Sequence, residues 1–220
     1  MPTVYGAGAS PFVRKVRVFL AEKDIAYDHD PVIPFNVSPE FKQMSPLGKI
    51  PAYRDGDHAL SDSSVICAYI ERVRPQPPLY PTDPYEYGRA LWFEEYGDTA
   101  LAQVMGAKIF FQKILAPRFF QRPTDEAMVT HAIENELPPL FDYLESQLTD
   151  HGTNLVGAGL SIGDIGIATQ FVNLRHAGVG VDAQRWRKLA RYVGAMHSRP
   201  SFKALIDEDV AALGTTPAPL

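Results

Sequence analysis

Three short stretches in the first third of the chain hold the residues whose types and spacing suit chemistry. They are Ser10-Pro11, Lys49-Ile50-Pro51 and Asp62-Ser63. The first and the third are typical helix starts, because serine and aspartate accept hydrogen bonds from the free N–H groups of a first helical turn. Helix N-termini also attract anions. The set predicts a site for a small ligand with carboxylates, and for a thiolate held near a serine hydroxyl.

Ser10 is the candidate catalytic residue of this site. A thiol is a useful nucleophile only as a thiolate, and hydrogen-bond donors and helix N-termini stabilise the thiolate. The Ser10 hydroxyl is such a donor, and the free N–H groups beyond Pro11 form such a helix N-terminus. The same two residues also suit a helix cap with no catalytic role, since proline fits the first helical turn. The local sequence leaves both interpretations open.

Composition and charge limit the classes of function. The chain has 220 residues, of which 45% are hydrophobic and 21% charged, as in ordinary globular proteins of one or two domains. The net charge of -5 argues against nucleic-acid binding. No apolar run approaches the roughly 18 residues of a membrane span, and no signal peptide is visible. The single cysteine, Cys67, indicates a reducing compartment such as the cytoplasm, and the histidine spacing predicts no metal site.

Hydrophobic periodicity divides the chain into an α/β part and a helical part. The first part reads as strand, helix, strand, short helix, a hairpin around Asp55-Gly56, and a helix at 63–73. On its first helix, Arg14, Lys15 and Arg17 are predicted to face away from the core. A proline-rich connector follows at 75–84.

The rest of the chain shows only helical patterns. They cover residues 87–115, 124–148, 161–177, 185–197 and 201–213. Pro138-Pro139 should kink or divide the second of them. Ser161 and Asp164 have the spacing of a capping box and are assigned to structure.

These motifs, in this order and spacing, resemble the cytosolic glutathione transferases over essentially the whole chain. The resemblance lies in Ser10-Pro11-Phe12, in Leu47-Gly48-Lys49-Ile50-Pro51, in Asp62-Ser63, and in the Ser161 segment. It implies a serine-type enzyme of the theta, phi or beta kind. The implied fold is an α/β thioredoxin-like N-terminal domain at 1–78, a linker at 79–86 and an all-α C-terminal domain at 87–220.

The resemblance also implies a role for each stretch in binding glutathione. Ser10 would contact the thiolate, and a cis peptide bond between Ile50 and Pro51 would free the Ile50 backbone for the ligand. Asp62 and Ser63 would hold the γ-glutamyl end. Asn36-Val37 departs from the phi-like pattern, where His-Lys often grips the glycine carboxylate, so this contact is expected to rely more on Lys49.

Two further assignments concern aromatic residues. Tyr5 is the rival hydroxyl, because other transferase classes use a tyrosine at the end of the first strand; it equally suits a strand aromatic in the core. Phe110, Phe111, Phe119 and Phe120 could line an apolar electrophile site, with Phe110 and Phe111 as the chosen pair, and Phe12 beside Ser10 is a further candidate wall. Aromatic residues on long helices more often belong to the core, and this alternative stays open for Phe110 and Phe111.

The expected function is transfer of glutathione to a small, hydrophobic electrophile, without a metal, in a cytoplasmic homodimer. The alternatives are a glutathione-dependent peroxidase, dehalogenase or isomerase on the same fold, or a non-catalytic binding protein like the stringent starvation protein. The dimer would pair through the helix at 64–73 and residues 87–101 of the next helical pattern. The apolar residues expected there are Tyr69, Ile70, Trp92, Phe93 and Tyr96.

Overall fold

A four-stranded sheet with three helices forms the N-terminal part of the chain. The structure is a computed structural model and describes residues 1–219. The first elements are β1 (Thr3–Tyr5), α1 (Pro11–Glu22), β2 (Asp28–Asp30), α2 (Pro39–Met44), β3 (Ala52–Asp55), β4 (His58–Ser61) and α3 (Ser63–Val73). The strand order is β2-β1-β3-β4, in which β1 and β2 are parallel and the other neighbours antiparallel. Strand β1 therefore lies inside the sheet, and Tyr5 at its end is flanked by Asp30 and Ala52.

After α3, helices are the only regular elements of the described chain. They are α4 (Pro84–Tyr96), a long π-helical segment (Gly97–Leu115), α5 (Ala116–Phe119), α6 (Glu126–His131), a short π-helical segment (Ala132–Glu136), α7 (Leu137–Gln147), α8 (Ile162–His176), α9 (Arg187–His197) and α10 (Pro200–Leu213). The predicted fold class, a thioredoxin-like α/β domain followed by an all-α domain, is confirmed.

The helical pattern predicted at 124–148 is divided next to Pro138-Pro139, since α7 begins at Leu137. The two prolines lie in the first turn of α7, where a missing N–H group leaves no hydrogen bond unmade. The short π-helical segment immediately before them changes the hydrogen-bond pattern from the i−4 to the i−5 carbonyl. The helix therefore changes from π-helical to α-helical hydrogen bonding immediately before the prolines.

Helix α8 is the centre of the helical domain. All of its residues except Arg175 are buried. A Cβ atom at Gly163 would lie 2.8 Å from the Ala90 carbonyl oxygen, and one at Gly97 would lie 2.7 Å from that of Gly166. The glycines therefore let the backbones of α4 and α8 touch, which a larger side chain would prevent.

The predicted capping box at the start of α8 is confirmed. The Ser161 hydroxyl and the Asp164 carboxylate satisfy each other's backbone N–H groups. Asp164 also accepts hydrogen bonds from the Leu155 N–H at 2.7 Å and the Tyr192 hydroxyl at 3.2 Å. Burial raises the pKa of this carboxyl to about 6, while its hydrogen bonds act in the opposite direction.

The prediction that the basic residues of α1 face away from the core is wrong. Arg14, Lys15 and Arg17 are all buried, because α1 lies between the sheet and the C-terminal helices. Arg14 donates to the Asp209 carboxylate of α10, to the Thr169 carbonyl oxygen and to the Asn173 side chain. Buried cations need such partners, so α1 holds the two domains together by ion pairs as well as by apolar contacts.

His197 is buried, and the hydrogen bonds of its two ring nitrogens require the neutral imidazole. Its Nε2–H donates to the Ala168 carbonyl oxygen at 2.9 Å, and its Nδ1 accepts from Arg175 at 2.9 Å. Since the arginine can only donate, the ring is neutral. Burial lowers the pKa of His197 to about 3, and the charges of Arg175 and Arg14 act in the same direction.

The folded protein is therefore expected to lose stability as pH falls. Below about pH 6.5 the unfolded chain takes up a proton at His197 that the folded chain does not bind. This one group should lower the free energy of unfolding by about 2 kcal/mol between pH 7 and pH 5. Urea unfolding at both pH values measures the change.

His197→Gln is the matched control, because glutamine has a donor for Ala168 and an acceptor for Arg175 but does not titrate. The comparison with wild type also cancels the opposite contribution of Asp164, whose raised pKa makes stability fall as pH rises from about 4 to 6. Equal pH dependence in the two proteins would show that His197 is already accessible to protons in the folded state.

Candidate functional site

Gly6 brings the first two predicted stretches together. It follows β1 with a φ of +139°, and its N–H donates to the Asp30 carbonyl oxygen at 2.8 Å. A Cβ atom at this position would lie 2.6 Å from a Val13 methyl group and 2.8 Å from the Ile50 Cβ. Only glycine allows this approach. The start of α1 and the turn at Ile50 therefore meet at the end of β1.

Ser10 is the N-cap of α1, with Pro11 in the first helical turn. Its hydroxyl oxygen accepts a hydrogen bond from the Val13 N–H at 3.4 Å. The residue is half-buried. A hydroxyl that accepts from a backbone N–H still has its own proton to donate, so capping and contact with a thiolate are compatible.

The turn before β3 exposes a peptide backbone at the same place. The Ile50–Pro51 bond is cis, as the resemblance implied. In the described residues neither the N–H nor the C=O of Ile50 has a backbone partner. The Ser45 hydroxyl donates to the Lys49 carbonyl oxygen at 2.7 Å and holds the turn, while the Lys49 side chain is exposed. This geometry is suited to pairing with an extended peptide ligand.

The third stretch begins α3. Asp62 is exposed and has a φ of +79°, and its Oδ1 accepts from the N–H groups of Ser64 and Val65 at 2.9 and 3.2 Å. Its Oδ2 has no hydrogen-bond partner within residues 1–219. Ser63, the first residue of α3, is buried. Asp62 thus caps the helix with one oxygen and leaves the other oxygen available.

Lys15 ties the start of α3 to the helical domain. Its ammonium group donates to the Ser64 hydroxyl at 3.0 Å, to Glu94 at 2.9 Å and to Asp98 at 2.5 Å. Burial lowers the pKa of Lys15, but the carboxylates of Asp98 and Glu94 more than compensate, so the net shift is upward and the lysine is charged. Burial also raises the pKa of the Asp98 carboxyl. The position of α3 therefore depends on charges supplied by α4 and the segment after it.

The candidate aromatic residues differ in their exposure. Phe12 is half-buried in the first turn of α1. Phe110 is only 4% exposed and belongs to the core, the more common place for an aromatic residue on a long helix. Phe111 is half-buried, and its ring centroid lies 5.5 Å from that of Phe120. Tyr5, the rival hydroxyl, is half-buried in β1.

Residues 1–219 contain neither a metal-binding cluster nor a membrane-spanning helix. Within residues 1–219 no group of three or more histidine, cysteine, aspartate or glutamate residues is placed to hold a metal ion. None of the described helices has the length and apolarity to cross a membrane. Cys67 is buried, and burial raises the pKa of its thiol. A buried, protonated thiol is a poor nucleophile.

Family models match both parts of the chain. The glutathione S-transferase N-terminal domain matches residues 4–78, and the glutathione S-transferase C-terminal domain matches residues 127–195. The chain belongs to the glutathione S-transferase family. A glutathione S-transferase of Triticum aestivum is 29% identical over 217 residues, which cover 94% of each chain.

Two other members of the family give similar results. The GST-like protein YibF of Escherichia coli is 29% identical over 198 residues, 90% of this chain and 94% of its own. The crystal structure of a glutathione S-transferase from Rhodospirillum rubrum F11 superposes with a TM-score of 0.83 at 26% identity, covering 93% of this chain and 91% of the other. Thus the family likeness extends over both domains.

Two side-chain pairs that link the domains could not be read from the sequence. Lys15 and Asp98 lie 83 residues apart and form a pair only in the folded chain. Phe35, on the loop after β2, packs against Phe120, the residue directly after α5. Neither pair belongs to a local motif, so a covariation signal between distant positions is what could have found them.

Proposed function

We propose that this protein is a serine-type glutathione transferase that activates the thiol of glutathione for attack on a small, hydrophobic electrophile. The Ser10 hydroxyl donates to the thiolate, and the Ile50 backbone pairs with the peptide. The ligand ammonium pairs with Asp62, and the γ-glutamyl carboxylate lies at Ser63. Lys49 attracts the glycine carboxylate.

The observation that carries the proposal is that three different parts lie at the same end of the sheet, where Tyr5, Ala52 and Ser61 are neighbours across β1, β3 and β4. The cap of α1 has a hydroxyl proton to donate, the turn at Ile50 has an unpaired backbone, and Asp62 has a carboxylate oxygen without a partner. Family membership makes glutathione the ligand that suits these parts. Catalysis then comes from electrostatic stabilisation of the thiolate and from proximity.

Two assays test the function. We expect the protein to be retained on immobilised glutathione, to elute with free glutathione, and to conjugate chlorodinitrobenzene faster than the uncatalysed reaction. Retention without turnover of any electrophile, peroxide or haloalkane would support a non-catalytic binding protein. Absence of retention and turnover would contradict the proposal.

Asp62→Ala is expected to weaken glutathione binding by about 1.5–3 kcal/mol, because a charge-assisted hydrogen bond to the ligand ammonium is lost. Titration calorimetry measures the affinity. The same substitution removes the cap of α3, which costs about 1 kcal/mol of stability.

Asp62→Asn separates the two effects. Asparagine retains an oxygen that accepts from Ser64 and Val65, but it has no charge for the ammonium. We expect Asp62→Asn to bind glutathione nearly as weakly as Asp62→Ala while unfolding at the wild-type temperature. Wild-type affinity in Asp62→Asn would mean that another group holds the ammonium.

We also propose that the protein forms a two-fold homodimer through α3 and α4. Three of the residues expected at this interface, Ile70, Phe93 and Tyr96, are buried within the single chain and are unavailable for it. Trp92 is 50% exposed, and the other exposed apolar side chains of the two helices are Val65, Val73, Tyr85, Tyr87 and Leu91. Such a surface favours self-association.

Light scattering at micromolar concentration is expected to give twice the mass of one chain. Trp92→Glu should shift the protein towards the monomer, because it places a charge in the apolar surface. Leu47→Glu is the matched control, since Leu47 is 81% exposed and lies outside both helices. A wild-type monomer would contradict the dimer.

A further inference from the structure

Two side chains of α8, in the helical domain, bind the carbonyl groups on either side of Ser10. The Thr169 hydroxyl donates to the Pro11 carbonyl oxygen at 2.9 Å, and the Asn173 amide donates to the Ala9 carbonyl oxygen at 3.1 Å. Thr169 is fully buried and Asn173 is 2% exposed. The residues before and after the candidate catalytic serine are therefore held by partners 164 and 158 residues further along the chain.

Arg14 fixes the direction of both hydrogen bonds. Its Nη1 group donates to the Thr169 hydroxyl oxygen at 3.4 Å and to Asn173 Oδ1 at 2.8 Å. Arginine has donors but no acceptor, so the Thr169 proton is directed to Pro11 and the Asn173 amide nitrogen to Ala9. A flipped Asn173 amide would place a donor against the donor of Arg14 and an oxygen against the Ala9 oxygen. Each side chain therefore has one orientation that satisfies all of its partners.

The position of the Ser10 hydroxyl depends mainly on the backbone that carries it. Within residues 1–219 its one partner is the Val13 N–H at 3.4 Å, which is long for a hydrogen bond. The peptide group before Ser10 is held at both of its ends, because its N–H donates to the Ala7 carbonyl oxygen at 3.0 Å and its carbonyl oxygen accepts from Asn173. Loss of a partner from α8 would thus let the serine move.

We propose that Thr169 and Asn173 are positioning residues that set where the Ser10 hydroxyl meets the thiol of glutathione. This inference rests on the proposed function, because it concerns the same serine and the same ligand. Catalytic groups are sensitive to placement, and a displacement of about 1 Å can cost roughly 100-fold in rate. The helical domain then takes part in activating the thiol, although the glutathione contacts proposed above all belong to the N-terminal domain.

Thr169→Val tests the proposal, because valine has nearly the same shape but no hydroxyl. We expect the apparent pKa of bound glutathione to rise, as measured by the ultraviolet absorbance of the thiolate, and kcat to fall about 3- to 30-fold. The KM for glutathione should stay within about twofold, since Ile50, Asp62 and Ser63 are unchanged. Thr169→Ser keeps a hydroxyl and should restore both the pKa and kcat.

Asn173→Asp is a second, independent variant. Aspartate still accepts from Arg14 but has no N–H for the Ala9 carbonyl oxygen. We expect the pKa of bound glutathione to rise and kcat to fall as in Thr169→Val. A shift caused by the added charge alone would persist in the Ser10→Ala background, where there is no hydroxyl left to position.

A route through Ser10 also predicts that the effects are not additive. In the Ser10→Ala background, Thr169→Val should change neither the pKa of bound glutathione nor kcat any further. Tyr192→Phe is the matched control for stability, because the buried Tyr192 hydroxyl joins α9 to α8 by donating to Asp164 at 3.2 Å. It should lower the melting temperature about as much as Thr169→Val and leave the pKa of bound glutathione at the wild-type value.

The results separate this inference from the proposed function. A wild-type pKa and rate in both Thr169→Val and Asn173→Asp, full additivity with Ser10→Ala, no rescue by Thr169→Ser, or an equal shift in Tyr192→Phe would each overturn the inference while the function stands. If glutathione bound to the wild type titrates like free glutathione, the proposed function itself is wrong, and the inference with it.

Discussion

Arg14→Met is expected to lower the free energy of unfolding by about 3–5 kcal/mol, the usual cost of removing one partner of a buried ion pair. The guanidinium of Arg14 is fully buried, and its carboxylate partner Asp209 is 4% exposed. Methionine fills much of the volume but leaves Asp209, the Thr169 carbonyl oxygen and the Asn173 side chain without their donor. For a chain of this size the melting temperature should fall by roughly 6–20 °C, as measured by calorimetry.

A second ion pair on α10 is the matched control. Lys203 and Asp207 are 67% and 63% exposed, so Lys203→Met should change stability by less than about 0.5 kcal/mol. The double variant Arg14→Met with Asp209→Leu should recover part of the loss, because no charge is then left unpaired. If Arg14→Met were as mild as Lys203→Met, water would have to reach Asp209 in the folded protein.

Ser10→Ala is expected to cut turnover roughly 10- to 100-fold and to raise the apparent pKa of bound glutathione, with affinity for glutathione within a few-fold. A free thiol has a pKa of about 8.5, so only a few per cent of it is thiolate at neutral pH. Lowering the pKa by about two units takes about 2.7 kcal/mol. One hydrogen bond to a charged sulfur contributes about 1.5–3 kcal/mol, and the helix N-terminus adds up to about 1 kcal/mol.

The pH dependence of the rate checks this prediction. Because Ser10→Ala also removes the cap of α1, a second capping serine serves as the matched control. Ser38 caps α2 as Ser10 caps α1, by accepting from an N–H three residues on at 3.2 Å, and it too is followed by proline. Ser38→Ala should retain the rate and its pH profile. If Ser10→Ala keeps them and Tyr5→Phe loses them, the hydroxyl that contacts the thiolate belongs to Tyr5, and Ser10 is only a cap.

The sequence by itself determined the local elements. The caps at Ser10, Asp62 and Ser161 form as predicted, because each bonds an N–H group within three residues along the chain. Helical and strand periodicity likewise predicted the change from an α/β domain to an all-α domain. The order of the three functional stretches was also readable, since each is a contiguous motif.

Only the tertiary structure decided which polar side chains of the helices are buried. A period of 3.6 residues predicts one apolar and one polar face, so Arg14 and Lys15 read as solvent-facing. Helix α1, however, lies between two layers, and both residues are buried against carboxylates 195 and 79 residues further along, Asp209 and Glu94. The contact of Phe35 with Phe120 has the same origin. Pairs so distant leave no periodic trace, because their proximity arises from the docking of two domains rather than from any local backbone geometry.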